Sequence, residues 1–382
     1  MNYKPVWPHD RLKIMTELYI GLMSGTSMDA IDAVLVDFSK LPLQLIATHS
    51  EPISTELKKK LLQLCFPGHD EINCMGILDV QMGILFAQSC NQLLKKSGID
   101  RATIKAIGSH GQTIRHYPHD AHFPFTLQIG DPNIIAARTG ITTIADFRRR
   151  DLASGGQGAP LVPAFHNYFF RNPHKDQVII NIGGIANITF LPANLNEKII
   201  GFDTGPGNTL LDSWINQHQH KKYDQDGQWA KSGKLNNSLL AILMADEYLK
   251  LPPPKSTGRE HFNLAWLQSK LPENIAAVDV QNTLTEFTAQ SIMQAINLYA
   301  TKNCDIIICG GGAHNNYLLS RLEHHRGNHT ITLSQQFGID PDWIEAIAFA
   351  WLAQQTLQSK PGNIPSVTGA RQAVILGGIY QA

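Results

Sequence analysis

The chain has 382 residues, of which 43% are hydrophobic and 17% charged, and its 32 Lys and Arg balance 32 Asp and Glu. This composition excludes a disordered, charge-rich chain. The zero balance argues against a nucleic-acid coat or a polybasic membrane binder, and the length suggests about two domains.

In chain order, the apolar run from Leu18 to Met23 reads as a buried strand, and Ser24-Gly-Thr-Ser-Met-Asp29 as a turn. Ala30 to Phe38 and Leu43 to Ile53 read as two further strands. Helical periodicity follows, from Thr55 to Cys65 and from Glu71 to Lys96, with Gly98 as the stop signal. Ile104 to Gly108 is a strand running into Ser109-His-Gly-Gln-Thr113, Asp131-Pro-Asn opens a helix, and Ile141 to Asp146 is another strand. The same grammar then restarts. Val178 to Ile182 is a strand, Gly183-Gly184-Ile-Ala-Asn187 a turn, and Ile188 to Leu191 and Lys198 to Phe202 are returning strands. Helices are expected over 208–217, 237–249 and 281–301, and a strand over Asp305 to Cys309 runs into Gly310-Gly-Gly312. A helix over 315–325, a strand over 329–333 and a long helix over 341–358 complete the second half. Repeated supersecondary grammar implies a duplicated α/β domain. The expected division is 1–140 plus 365–382 for the first domain and 141–364 for the second.

Five cysteines, at positions 65, 74, 90, 304 and 309, form no CxxC pair. That disfavours a disulfide framework or a structural zinc and makes a reducing cytoplasm the expected compartment. Met1 to Glu17 carries charges throughout, unlike a signal peptide, and no run of about 18 uncharged apolar residues is present to span a bilayer.

Glycine-tipped turns at strand ends expose consecutive N–H groups that cradle phosphate, and Ser or Thr hydroxyls add donors. Each such turn is weak evidence, because most glycine turns are only turns. Three together, at Ser24–Asp29, Gly183–Gly184 and Gly310–Gly312, favour a nucleotide. There is no GxxxxGK[ST], no GxGxxG with a downstream acid, no GxSxG and no HExxH. In Gly201-Phe-Asp-Thr-Gly-Pro-Gly-Asn208 an apolar strand delivers Asp203 to a tight turn, where a carboxylate suits a general base; an Asp that merely caps a turn is the plainer alternative. Arg148, Arg149 and Arg150, after the strand ending at Asp146, offer paired donors to an anion or form a solvated charge run. His116, His119 and His122 flank Pro118 and make a poor preformed metal site.

These segments carry a resemblance. Gly21-Leu-Met-Ser-Gly-Thr-Ser-Met-Asp-Ala-Ile-Asp32, Gly108-Ser-His-Gly-Gln-Thr-Ile-Arg115, Asp146-Phe-Arg-Arg-Arg-Asp151, Gly156-Gln-Gly-Ala-Pro-Leu-Val-Pro-Ala-Phe165, Asn181-Ile-Gly-Gly184, Gly201 to Asn208, Lys255-Ser-Thr-Gly-Arg259 and Cys309-Gly-Gly-Gly-Ala313 are similar, in order, to the motifs of the anhydro-N-acetylmuramic acid kinases of bacterial cell-wall recycling. The resemblance covers the chain from Leu18 onward. It implies two ribonuclease-H-like domains around a nucleotide cleft, as in actin, hexokinase and the heat-shock chaperone ATPases. It implies ATP and Mg2+, a sugar partner, no nucleic acid or membrane partner, and it leaves room for a homodimer. The implied reaction opens the 1,6-anhydro ring with water and phosphorylates the 6-oxygen. Carried over, Asp203 is the base, and Gly25, Thr26, Ser27, Met28, Asp29, Ala30, Ile31 and Asp32 embrace the ATP phosphates, aided by Gly183, Gly184, Gly310, Gly311 and Gly312. Arg148, Arg149, Arg150, Gln112 and Asn208 are the expected sugar contacts. The acidic residue that the wider superfamily carries in its first hairpin strand is missing, and Asn181 stands in the second hairpin. Magnesium ligands therefore stay open, with Glu345 a candidate. The competing readings are a nucleotide-switched module without a sugar-facing base and a plain glycosidase, which would have no use for three phosphate-type turns.

Overall fold

The computed structural model describes residues 16–40, 42–118, 122–300 and 303–382. His119, and all but the last two residues of the charged stretch Met1–Glu17, lie outside the described residues. Twelve strands are described: β1 Leu18–Ser24, β2 Ala30–Asp37, β3 Gln44–Pro52, β4 Ile104–Tyr117, β5 Phe125–Ile129, β6 Thr143–Ala145, β7 Gln177–Ile182, β8 Ile185–Leu191, β9 Ile200–Pro206, β10 Asp305–Cys309, β11 Thr330–Leu333 and β12 Gly378–Tyr380.

They form two sheets of one topology. In the first sheet the order is β3-β2-β1-β4-β6, with the chain's last strand β12 added at the edge and β5 paired to β4. In the second the order is β9-β8-β7-β10-β11. In each, three antiparallel strands lead into two that run parallel to the first of them. This is the ribonuclease-H-like order, present twice, as the repeated grammar implies.

Strand alternation sorts the core into layers. Leu18, Ile20 and Leu22 of β1 face outward onto the helix Glu71–Ser97, sharing a cluster with Met82, Phe86 and Leu93. Val178, Ile180 and Ile182 of β7 face the helix Ala277–Tyr299 through Ile292 and Ile296. The alternate residues Tyr19, Val34 and Ile179 face inward, into one cluster shared by both sheets. That cluster is filled by the helices Val162–Phe170 and Ile344–Leu357. The second of these is buried almost all round, so its sequence is apolar on every face. It lies so close to the first sheet that a Cβ on Gly21 would overlap the Ala346 carbonyl oxygen, and one on Gly108 the Phe349 carbonyl oxygen.

Three local features differ from the sequence expectation. The strand expected over Ile104–Gly108 is longer: β4 continues through Ser109–Thr113 to Tyr117, held by pairing with β5. The helix expected over 237–249 breaks at Asp246, whose side chain accepts from Tyr248 N and so starts a second short helix. The stretch around the Gly-rich loop 154–158 contains two helices, Arg149–Ala153 and Val162–Phe170, that periodicity over so few residues does not reveal.

The chain crosses between sheets twice, after β6 and again after the helix Ile344–Leu357 on its way to β12. Both crossings meet at Asp151, which is fully buried. Its carboxylate accepts from Gly158 N at 2.8 Å on the outgoing crossing, and from Asn363 Nδ2 at 2.6 Å and Thr368 Oγ1 at 2.8 Å on the returning one.

Candidate active site

Asp203 sits on β9, where the strand turns toward Gly205 and Gly207, and it is half-buried. The loop Lys255–Gly258 lies along it: Asp203 N donates to Lys255 O at 3.3 Å, and Thr257 N donates to Asp203 Oδ2 at 3.0 Å. Tyr248 Oη donates to Asp203 O at 2.8 Å, fixing the backbone. Burial pushes the carboxyl up to about 6; the Thr257 N–H and the Lys255 ammonium oppose that rise, and the Glu260 carboxylate adds to it. A carboxylate near this value is still ionised at neutral pH and basic enough to take a proton in the transition state. Lys255 is anchored by the carbonyls of Tyr248 and Leu249, both at 3.1 Å, and lies over the Tyr248 ring. Lys255 and Thr257 stand in the motif Lys255–Arg259, but neither that motif nor Glu260 says in the sequence that it reaches Asp203, because the contact is made from a distant loop.

The two glycine turns of the second half lie against each other. Gly310, in left-handed conformation at φ 79°, packs so tightly on Asn181 and Ile182 that a side chain there would overlap them. Asn208 Nδ2 donates to Ile182 O at 3.2 Å, beside the Gly183–Gly184 turn. Asn208, expected beside the sugar, is thus bonded by its side chain and its N–H to Ile182 O and Gly183 O at the first of these turns. The carbonyls of Gly183 and Gly184 accept from the N–H groups of Gly207, Asn208 and Thr209, seating this turn on the start of the helix Thr209–Gln219. Arg259 passes over Gly184.

In the first half, the 25–32 segment divides. Met28 and Ile31 point into the core, Met28 N closes the turn on Gly25 O at 3.2 Å, and Asp29 pairs with Lys58. Gly25, Thr26 and Ser27 present the open side of the turn. Gln112, expected to contact the sugar, is fully buried. Its Oε1 accepts from Ser24 Oγ at 2.7 Å and its Nε2 donates to Gly25 O and Thr113 O, so it braces the turn from behind. The cause is the extension of β4, which turns this side chain inward.

Of the three arginines, Arg148 alone turns inward. Its Nε and Nη2 donate to His110 Nε2 at 3.1 and 2.8 Å, and its Nη1 to Gly158 O at 2.8 Å. Arg149 is exposed and paired with Asp146, and Arg150 is exposed. Glu345, at the start of the interlobe helix, accepts from Asn181 Nδ2 at 3.2 Å. Burial raises its carboxyl, Arg148 opposes the rise and Asp32 adds to it. Burial likewise raises Asp32, against a hydrogen bond from Ser50 and with help from Asp342. Asp32 of the first hairpin thus lies near enough to Glu345 and Asp342 for their charges to act on one another. Asp212, in the first turn of the helix Thr209–Gln219, is a further acidic group that sequence reading passes over. Burial pushes it up to about 7, Arg259 opposes, and Asp29 of the first turn adds to the rise. No group of three or more His, Cys, Asp or Glu suited to a metal occurs among the described residues, and no helix among them is long and apolar enough to cross a membrane.

Two sheets of one topology, with glycine turns at their strand ends and a half-buried carboxylate on β9, define a two-domain protein of the actin- and hexokinase-like fold. The family profile for anhydro-N-acetylmuramic acid kinase matches residues 17–382, and the chain belongs to that family. It is 55% identical over 365 residues to the anhydro-N-acetylmuramic acid kinase of Coxiella burnetii, spanning 95% of this chain and 97% of that one. It is 54% identical over 367 residues to that of Shewanella amazonensis, spanning 96% and 99%. Among solved structures it is similar to a 2-hydroxyisocaproyl-CoA dehydratase activator from Clostridium difficile, with 14% identity, TM-score 0.46, and 89% and 96% of the two chains covered. A ROK family glucokinase from Streptomyces griseus is also similar, at 14% identity and TM-score 0.41, with 88% and 99% covered.

Proposed function

We propose that this protein opens the 1,6-anhydro ring of anhydro-N-acetylmuramic acid with water and transfers the γ-phosphoryl group of ATP to the freed 6-oxygen. The products are N-acetylmuramic acid 6-phosphate and ADP, and the setting is cytoplasmic cell-wall recycling. The observation that carries the reading is Asp203, a carboxylate tuned to about 6 beside the glycine turns. It takes a proton from water as the water's oxygen bonds to the anomeric carbon and the bond from that carbon to the 6-oxygen breaks. Acetal cleavage ordinarily also needs an acid for the leaving oxygen. Here the leaving oxygen's charge is consumed by the phosphorus, so one carboxylate suffices. Gly25–Ser27, Gly183–Gly184 and Gly310–Gly312 line the phosphate side.

Magnesium fits the donor set in a limited way. Asp32 and Glu345 offer hard oxygens, and among the described residues no group of three or more His, Cys, Asp or Glu is arranged to hold a metal. Such a pair suits an ion that keeps most of its water and leans on phosphate, where it neutralises charge on the transferring group.

The decisive assay is mass spectrometry of anhydro-N-acetylmuramic acid, ATP and Mg2+ in 18O water. One heavy oxygen on the anomeric carbon and none in the phosphate is expected. ATP turnover that ignores the sugar would instead make the protein a nucleotide-switched module.

Two substitutions probe the site. A methyl on Gly25 meets nothing closer than Ser27 Oγ at 3.9 Å, so Gly25→Ala is expected to leave the melting temperature unchanged and to raise the Michaelis constant for ATP. An unaltered constant would take the phosphates away from this turn. For the arginines, Arg148→Ala is expected to cripple turnover while Arg149→Ala and Arg150→Ala stay near normal. The exposed Arg149–Asp146 pair is worth only about 0.2–1 kcal/mol. Three equally mild phenotypes would return the run to a solvated charge cluster.

A further inference from the structure

We propose that His110 is a positioning residue for catalysis: it holds the Arg148 guanidinium in place as a cation whose charge is left for an oxyanion of the substrates.

The bonding pattern fixes the tautomer. An arginine cannot give up its proton and has no acceptor, so the His110 Nε2 that meets both Arg148 Nε and Nη2 must be the bare nitrogen. His110 Nδ1 then carries the hydrogen and donates to Gly111 O at 2.8 Å. The ring is buried, and its plane is set by Phe349 of the interlobe helix, with centroids 4.7 Å apart. Burial and the neighbouring guanidinium push His110 down to about 3, so it stays neutral through the working range.

Neutrality is what matters for the arginine. Its third bonded nitrogen, Nη1, also meets a neutral acceptor, the Gly158 carbonyl. A guanidinium has five N–H donors; three are taken by neutral partners, and two remain. Asp151 and Glu345 act on Arg148 through space without a hydrogen bond from it. Arg149, by contrast, spends its charge on Asp146. A carboxylate in place of His110 would orient Arg148 equally well but would cancel the charge that an incoming phosphoryl or carboxylate group needs. A neutral imidazole orients without cancelling. The fork geometry of arginine makes this useful, because bidentate recognition of an oxyanion depends on the plane in which the guanidinium is held.

The inference rests on Arg148 as the cleft cation, and a double-mutant cycle separates the two claims. His110→Phe keeps a ring against Phe349 but removes the acceptor; it is expected to lower kcat by roughly 10- to 100-fold, the scale of small misplacements, with ATP binding and melting temperature near wild type. His110→Gln, which offers an amide oxygen as acceptor, is expected to recover most of that loss. In the Arg148→Ala background, His110→Phe is expected to cost nothing more, since coupled residues are not additive. Losses that multiply, or a His110→Gln no better than His110→Phe, would overturn the positioning role while leaving Arg148 in the site. A near-normal Arg148→Ala would overturn both claims. Repeating the cycle with 1,6-anhydro-N-acetylglucosamine, which lacks the lactyl carboxylate, tells the oxyanions apart. A persisting penalty assigns the phosphoryl group, and a vanished one assigns the carboxylate.

Discussion

Asp203→Asn is expected to abolish turnover, by about 10²–10⁴-fold as for loss of a general base, in a protein that folds normally. The amide keeps the shape of the carboxyl and leaves an oxygen for the Thr257 N–H, but it cannot take a proton from water. The pH dependence follows from the same group. With its folded-state value raised to about 6 by burial, the wild-type rate should fall about tenfold per unit below pH 6. For stability the sign is reversed. The unfolded carboxyl titrates near 3.9, so Asp203's contribution is fully present below about pH 4 and is lost as pH rises through about 6. At pH 7 the variant, with no charge to bury, should therefore melt no lower than the wild type. Stopped-assay kinetics and a melting curve at pH 7 check both halves; near-wild-type turnover would remove Asp203 from the chemistry.

The largest loss of stability is expected at Gly21→Ala. The added methyl would overlap the carbonyl oxygen of Ala346 and crowd the backbone of Ala350. That obstacle is main chain in a helix buried on nearly every side, which has no flexible end to swing away. Overpacking a core typically costs about 1–3 kcal/mol and occasionally more; contact with a rigid helix backbone puts this case at the upper end. Gly108→Ala, which meets Phe349 O in the same way from β4, should behave alike. Denaturant midpoints measure both, and Gly76→Ala, in open surroundings, serves as the control. A Gly21→Ala midpoint equal to that of the control would mean that the helix stands farther from the sheet than described.

Why was Asp203 legible in the sequence when its supports were not? The residue announces itself locally: an apolar strand, an acid, then Gly205 and Gly207 at a turn. The duplicated halves were legible for a similar reason, because apolar runs ending in glycine turns need only neighbours in sequence. Thr257 sits 54 residues from the carboxylate that it bonds; the motif Lys255–Arg259 marks the segment but not its partner. The three arginines show the limit most clearly. As a run they are equivalent, and what selects Arg148 is an imidazole on β4, 38 residues earlier. Gln112 failed in the opposite direction. The apolar run ends at Gly108, yet pairing with β5 keeps the strand going and turns the amide into the interior.

Asp151 carries a mechanical consequence. Both passages of the chain between the lobes are tied to one buried carboxylate, so the lobes cannot slide past each other or separate without breaking bonds at that point. The motion left to them is rotation about a fulcrum. Displacement about a fulcrum grows with distance from it, so residues beside the pin stay nearly still. Arg148, three residues from Asp151, is bonded to His110 on β4, and Gln112 of the same strand holds Ser24 and Gly25. The anion-holding group and the phosphate-facing turn are thus one linked unit, and a rotation would carry them together against the glycine turns of the second sheet.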